Sequence, residues 1–599
     1  MSASLPAMAW ERVVAHPDRP ILREKQRGIW RSITWAELGQ RMRAIGQALR
    51  ATGFEPGEVA CVLAETRPEW VYADLGVQGA GGLAAGIYPA AGAELVADIL
   101  RDCRARTLFV ENEEQLDKAL HARESCPALK RIVVLDMKGL RDLADPMCES
   151  LEAFVAHGEA RDRDAGRDWE RGLAAIRPDS LALLIYTAGT TGPPKGVMLT
   201  HRAVLAQAEA TARLLGLREG DERLAFMPMT HVAERVLGLY VGLHAGVIGN
   251  YVESAETVLE NLREVRPTVL AAVPHVWERF HARLRLATDA ATPAQRLLFR
   301  WSMAAGTRRA DWRLAGRRVP PWTALEAWLL GWLVLGNVRR ELGIDRLRLA
   351  LVGGAPVSGA LIRWFMALGI DLTETYGQTE CAGLAAAAPT DAPRLGTVGR
   401  PAPHSEVSIA RDGEILLRGP HLFNGYWNRP EETARALQGG WLHTGDLGAL
   451  ADGYLRVAGR RQDAITTRSG ESVAAAEIEK ELKASPFISD AVLFGEGRAF
   501  LSCLVMIDHE AVEQWAQANR VPFTGFATLV RADGVRALIG REIERALARC
   551  GRPGIIKSFR LIEHKLEPED PELTPAMQLR RGVVGERYRA LIDEMYVNA

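Results

Sequence analysis

Strand-like apolar runs alternate with helix-like stretches through the first half of the chain: VACVLA near 59, LVADIL near 95, RTLFVE near 106 and RIVVLD near 131. Alternation of this kind predicts parallel strands covered by helices, an α/β layering. Residues 149–180 are charged and poor in aromatics, and read as a surface connection into a buried strand, LALLIY, at 181–186. After residue 400 the runs shorten and alternate, as in EVSIA, GEILLRG and GYLRVAGR, with Gly and Asp between them. That texture predicts antiparallel strands joined by tight turns, a β-rich subdomain closing the large body. Beyond Gly459-Arg460 the pattern is mixed, with a helix expected at 474–484, strands at 490–494 and 501–507, and a helix at 530–549. The boundary of a small C-terminal α+β domain is therefore placed at Arg461-Gln462, dividing the chain into 1–460 and 461–599.

One segment, WTALEAWLLGWLVL at 322–335, is apolar enough to raise a membrane question. It carries Glu326 and is shorter than a spanning helix requires. The first reading is a buried helix, apolar on most sides. The second is peripheral contact with a membrane surface, where tryptophans suit the interface.

Composition narrows the classes. The 599 residues are 48% hydrophobic and 25% charged, a globular average, and 74 Lys plus Arg against 75 Asp plus Glu leave a net charge of -1. No nucleic-acid partner is suggested by that balance. The seven cysteines include no Cys-x-x-Cys pair, which suits a reducing compartment without disulfides or structural zinc. MSASLPAMAWERVV has neither a basic leader nor a long apolar run, so a cytoplasmic protein, at most peripheral at the inner membrane face, is expected. Only nine of the basic residues are lysines, and none lies between Lys195 and Lys480.

The candidate chemistry lies in loops that follow apolar runs. Tyr186-Thr-Ala-Gly-Thr-Thr-Gly-Pro-Pro-Lys195-Gly196 combines glycines, which let backbone N–H groups converge on an anion, with hydroxyl donors and a lysine. Its Gly-x-x-Gly-x-x-Lys spacing differs from the Gly-x-x-x-x-Gly-Lys-Ser/Thr loop, and the following VMLTH looks like strand rather than helix. An ordinary Gly/Thr hairpin turn is the alternative. Leu351-Val-Gly-Gly-Ala-Pro356 ends an apolar strand in a Gly-rich loop, Thr375-Tyr-Gly-Gln-Thr-Glu380 pairs an aromatic with a hydroxyl and a carboxylate, and Trp441-Leu-His-Thr-Gly-Asp446 puts an Asp in a turn. With Arg460 they provide an aromatic face for adenine, a carboxylate and a guanidinium for ribose hydroxyls, and a carboxylate for magnesium.

With these motifs in order, the sequence resembles the adenylate-forming superfamily, and within it the long-chain fatty acyl-CoA synthetase branch. The resemblance extends over PEWVYADLG at 68–76, AGIYPA at 85–90, MPMTHVAERV at 227–236, VRPTVLAAVPHVWERF at 265–280 and GPHLFNGYWNRPEET at 419–433. It implies a large N-terminal domain of two layered α/β subdomains plus a β-rich subdomain, with a small mobile C-terminal α+β domain hinged at Gln462. It also implies a ligase that uses Mg2+, ATP and CoA: a fatty acid or other carboxylic acid attacks the α-phosphate of ATP, and the CoA thiol then displaces AMP from the acyl-adenylate. By motif matching, Thr190, Thr191, Gly192 and Lys195 would hold the β- and γ-phosphates. Tyr376 would stack on adenine beside Gly354 and Ala355, Thr379 would touch the α-phosphate and Glu380 would ligate magnesium. Asp446 and Arg460 would hold the ribose, and His231 would stand between the acyl site and the CoA channel.

Three positions depart from the family pattern. Ala188 stands where the loop usually has Ser, and His275 replaces the usual Arg of a PRVWE-like segment. The third is catalytic: in Leu573-Thr-Pro-Ala-Met-Gln578-Leu-Arg580-Arg581, Gln578 occupies the place of a lysine that bridges the substrate carboxylate and the α-phosphate. Losing one positioned electrostatic donor lowers a rate by on the order of 10²–10³. The expectation is a ligase with slowed adenylation, or one assisted by a nearby cation such as Arg580 or Lys565. The alternatives are an enzyme biased toward thioester formation, or a silent nucleotide- and acyl-binding protein.

Overall fold

The structure, a computed structural model, describes the chain except residues 1, 166, 188–193, 255, 469–471, 567–569, 571, 574–578 and 598–599, and the backbone alone of 165, 286, 289, 462 and 472. Thr190, Thr191, Gly192, Ala188 and Gln578 therefore lie outside the described residues, as does the side chain of Gln462.

The fold is α/β, with a large N-terminal part and a smaller C-terminal α+β unit. A seven-stranded sheet runs, in spatial order, through Cys148–Ser150, Arg131–Val134, Thr107–Val110, Val59–Leu63, Leu83–Ile87, Leu181–Thr187 and Lys195–Thr200. All its pairings are parallel except the last, where Leu181–Thr187 turns back on Lys195–Thr200. In strand Val59–Leu63 every residue is buried: Val59, Cys61 and Leu63 face one core, while Ala60 and Val62 face the other. This is the two-sided burial that keeps parallel sheets covered by helices.

A second sheet of nine strands runs from Arg400–Pro401 and Ala386–Ala387 through Leu372–Tyr376, Leu349–Val352, Val269–Ala272, Glu222–Ala225 and Ile248–Tyr251 to the hairpin Pro20–Gln26/Ile29–Thr34. The strands from Pro20–Gln26 to Leu372–Tyr376 pair in parallel, and both ends are finished by antiparallel partners. The β-rich part is an antiparallel sheet built on the long strand Trp441–Ala451, flanked by Glu414–Arg418 and Tyr454–Arg460. One continuous core, containing Val62 and Ala84, Ala225 and Tyr251, and Ile415 and Leu417, joins all three sheets. The C-terminal unit packs its own core between the strands Ile488–Phe494, Leu501–Ile507 and Ile556–Leu561 and helices including Ala475–Lys483 and Asp533–Arg549.

The structure revises three expectations. Residues 149–180 are no surface connection: they form helices Leu151–Ala165 and Asp168–Ala175, whose Phe154 and Trp169 are fully buried beneath a charged outer face. LVADIL falls in helix Ala93–Cys103, with Val96, Ala97, Ile99 and Leu100 on its buried side. The apolar segment near 330 is helical, Pro321–Leu330 continuing as a π-helix Gly331–Leu335, yet it is not buried on most sides. Only Ala327, Leu330 and Leu335 are covered, because the helix lays a single stripe against Pro293–Leu314. Among the described residues, no helix is long and apolar enough to cross a membrane.

Candidate functional site

Asp446 and Arg460 are direct cross-strand partners in the β-rich sheet. Asp446 therefore lies within a strand, not in a turn; the irregularity that suggested one belongs to Gly445, whose φ of 72° is left-handed. Strand Leu372–Tyr376 delivers its last residue to the same place, where the Tyr376 hydroxyl donates to Asp446 Oδ2 at 2.7 Å. Arg460 Nε stands 3.8 Å from Asp446 Oδ1. Only 9% of Asp446 is exposed, and burial raises its pKa while the Tyr376 hydroxyl and Arg460 oppose the rise. Its carboxylate is thus oriented from two sides.

A second cluster is assembled by one stretch of backbone. Met198 N–H donates to Gly425 O at 3.0 Å and Trp427 N–H to Gly196 O at 2.7 Å, so the segment 424–427 lies along strand Lys195–Thr200. Phe423 N–H also reaches Glu380 O at 2.9 Å, which ties that segment to the short helix Thr379–Cys381. The Tyr426 hydroxyl consequently donates to Glu380 Oε1 at 2.8 Å, and Lys195 Nζ lies 5.6 Å from the centre of the Tyr426 ring. Lys195 pairs with Glu432. At the other end of the glycine-rich loop, Tyr186 donates to Asp102 Oδ2 at 2.7 Å, and Arg429 stands 3.5 Å from Asp102 Oδ1.

Among the described residues no group of three or more His, Cys, Asp or Glu could hold a metal ion. Glu380, partly exposed and bonded through one carboxylate oxygen to Tyr426, fits magnesium nonetheless, since Mg2+ commonly takes one or two carboxylates and fills its shell with phosphate oxygens and water. Thr379 is buried beside it.

The strand Leu349–Val352 ends in Gly353-Gly354-Ala355. A Cβ on Gly353 would collide with Thr375 Oγ1, and Gly354 has φ 80°, so two glycines let this loop lie flat on the strand that carries Tyr376. His231 is exposed at the surface, and desolvation by the surrounding protein lowers its pKa. Its Nδ1 accepts from Ala233 N–H at 3.2 Å, which leaves the proton of the neutral ring on Nε2. The helix behind it, a π-helix over Ala233–Tyr240, is held by an ion pair between the fully buried Arg235 and Asp74 and by the Tyr240 hydroxyl 2.5 Å from Asp74 Oδ2.

The family model described as AMP-binding enzyme matches residues 9–427, and the AMP-binding enzyme C-terminal domain matches 462–599. The chain belongs to the AMP-binding enzyme family. A relative named long-chain-fatty-acid–CoA ligase FadD15, from Mycobacterium bovis, is 32% identical over 597 residues, covering 98% of this chain and 96% of the relative. A putative fatty-acid–CoA ligase, fadD11 of Mycobacterium tuberculosis, is 36% identical over 533 residues, 82% of this chain and 93% of its own. Among solved structures, the A-PCP didomain of a carboxylic acid reductase from Segniliparus rugosus in complex with AMP superposes with a TM-score of 0.76 at 20% identity, covering 100% of this chain and 82% of that one.

In this AMP-binding enzyme, Lys195, His231, Gly354, Ala355, Tyr376, Thr379 and Glu380 lie within the first matched region, and Asp446 and Arg460 between the two. The structure brings Tyr376, Asp446 and Arg460 into one group, and Lys195 and Glu380 to one tyrosine, Tyr426, the lysine near its ring and the carboxylate at its hydroxyl. Tyr426, Glu432 and Asp102 were not singled out from sequence, although the first two sit in the stretch GPHLFNGYWNRPEET.

Proposed function

We propose that this chain is an ATP-dependent fatty acid–CoA ligase that forms acyl-AMP and diphosphate from a fatty acid and ATP, then passes the acyl group to the thiol of CoA. The observation that carries the reading is the pairing of a ribose-type clamp, Asp446 held by Tyr376 and Arg460, with a phosphate-type cluster, Lys195 and Glu380 joined through Tyr426. The relatives named fatty-acid–CoA ligases support the acid class and the CoA step.

In this reading Tyr376 presents its ring to adenine against the flat Gly354-Ala355 loop, while Asp446 and Arg460 take the ribose hydroxyls. Lys195, with Thr190, Thr191 and Gly192, holds the β- and γ-phosphates, and Thr379 touches the α-phosphate. Glu380 would hold magnesium, which supplies charge neutralisation to the phosphate oxygens when bound. The residues orient the nucleotide for in-line attack by the carboxylate, and positioning with charge stabilisation supplies most of the catalysis. His231, neutral and donating through Nε2, borders the passage for the acyl group and the thiol. The working division is 1–460 against 461–599, with Gln462 as the hinge of a C-terminal domain that serves the two half-reactions in turn.

Gln578 makes adenylation the slow half-reaction, because a neutral amide replaces the charge that would bridge carboxylate and α-phosphate. ATP–diphosphate exchange with a panel of fatty acids, measured beside CoA transfer from synthetic acyl-AMP, tests this. Gln578→Lys is expected to raise exchange by on the order of 10²–10³ and leave CoA transfer unchanged. Exchange that is fast in the unmutated protein and insensitive to the substitution refutes the role of position 578, and absence of both half-reactions with every acid refutes the ligase.

A further inference from the structure

The crossover from strand Val269–Ala272 to its parallel neighbour Leu349–Val352 runs through residues 273–348, far more than the dozen or so residues a crossover needs. The surplus is helical, and its outer face is apolar. Leu297, Leu298 and Trp301 are exposed on helix Pro293–Leu314, and Trp322, Leu325, Trp328, Leu329, Trp332 and Leu333 on the segment packed against it. Trp322 is 78% exposed and Trp332 68%. The indole of Trp301 donates to Glu326 Oε1 at 3.2 Å, which places the two sets of side chains on one shared surface. Scattered exposed apolar residues are ordinary, whereas a contiguous field with four tryptophans marks an interaction surface.

Its occupant is indicated by charge. Residues 291–340 hold nine arginines against two carboxylates, in a chain whose net charge is -1. Both carboxylates are already engaged, Asp311 by Arg363 and Glu326 by Arg308. Arg300 and Arg309 flank the exposed face of helix Pro293–Leu314, and Arg317 and Arg318 precede Trp322; all four are exposed and make no ion pair among the described residues. Indoles ringed by unpaired guanidinium groups match the boundary of an anionic bilayer, where the rings sit at headgroup depth and arginines bind lipid phosphates.

We propose that this helical insertion docks the protein onto anionic lipid bilayers, lying in the interface without crossing it. The insertion's first helix also touches the strand that leads into Gly353-Gly354: its buried Trp277 donates from Nε1 to Leu351 O at 3.1 Å.

Flotation of the full chain with vesicles of phosphatidylcholine alone, or of phosphatidylcholine containing one third phosphatidylglycerol, tests the proposal. The protein is expected to float with the anionic vesicles and far less with the neutral ones. The variant Arg300→Gln/Arg309→Gln/Arg317→Gln/Arg318→Gln should lower partitioning to anionic vesicles by roughly fivefold per arginine that reaches the surface and flatten its salt dependence. Trp322→Ser/Trp328→Ser/Trp332→Ser should reduce binding at least about tenfold at every salt concentration. Unchanged thermal midpoints and ATP–diphosphate exchange with a short soluble acid would confirm that both variants are folded. No flotation of the parent, or flotation indifferent to both variants, overturns the proposal. So does a parent that fails to float but is a dimer by light scattering and becomes monomeric in the tryptophan variant, since the face would then serve a second copy of the chain.

Discussion

Asp74→Ala probes the framework behind His231. Asp74 and Arg235 are both 0% exposed and ion-paired, and the Tyr240 hydroxyl donates to the other carboxylate oxygen. Removing the carboxylate leaves the guanidinium with one backbone acceptor, Ala84 O at 2.9 Å, and the face of Trp70 at 4.7 Å. Its Nε and Nη1 already have no hydrogen-bond partner. An orphaned buried charge costs about 3–5 kcal/mol, larger than the loss from an ordinary hydrogen bond. The first unfolding transition of the N-terminal part should therefore fall by roughly 3–5 °C. Because a chain of this size does not unfold in one step, the measurement is the midpoint of the transition reported by tryptophan fluorescence, to which Trp70 contributes directly. The paired substitution Asp74→Leu/Arg235→Met removes both charges at similar volume and should recover most of the loss. If Asp74→Ala costs under about 1 kcal/mol, or the pair is as damaging as the single change, the ion pair does not hold the π-helix and the reasoning fails.

Three further outcomes follow from the site and its surroundings. Glu380→Gln keeps an acceptor for Tyr426 but removes the charge offered to magnesium, so magnesium-dependent exchange should fall about 10²-fold or more with little change in melting; an active variant refutes the ligand role. Glu432→Gln releases Lys195 from an ion pair that the phosphates must displace; since both partners are about a third exposed, KM for MgATP should drop no more than about fivefold, and a rise would assign Glu432 a role of its own. Glu374 is buried, and desolvation raises its pKa from 4.5 to about 7, opposed by Lys480. A raised carboxyl pKa means the folded state binds the extra proton, so stability declines as pH rises from about 5 to about 8 by up to roughly 3 kcal/mol. Glu374→Gln should flatten that decline in melting scans, and an unchanged slope refutes the assignment.

The legible parts of this protein were those written locally. Parallel strands such as Val59–Leu63 announce themselves as unbroken apolar runs because both faces are buried, and Leu501–Ile507 was placed to the residue for the same reason. Gly353-Gly354 and Thr375–Glu380 were visible because a flat loop and a short helix leave their own residue signatures. Residues 149–180 were misread because the charged face outnumbers the buried one; Phe154 and Trp169 carry the packing, and two aromatics are a faint signal. The segment near 330 failed for the opposite reason: an apolar run reports affinity for apolar surroundings, not whether protein supplies them. Asp446 looked like a turn residue because Gly445 precedes it, yet a left-handed glycine can sit inside a strand as an irregularity.

The cluster around Tyr426 was illegible for a topological reason that also bears on chemistry. Lys195, Glu380 and Tyr426 are far apart in sequence, and they meet only because segment 424–427 adds itself to strand Lys195–Thr200 and hangs from the carbonyl of Glu380. No residue pattern encodes such an addition, since backbone hydrogen bonds do not depend on side-chain identity. The consequence is that the candidate magnesium ligand and the candidate phosphate lysine are aligned by one tyrosine: its hydroxyl holds the carboxylate, its ring faces the ammonium. An arginine at 195 would reach farther and present a planar fork; a lysine presents a compact charge that can exchange Glu432 for phosphate oxygens without a fixed geometry. In a chain that otherwise uses arginine throughout this region, that physical difference is what the proposed phosphate role of Lys195 draws on.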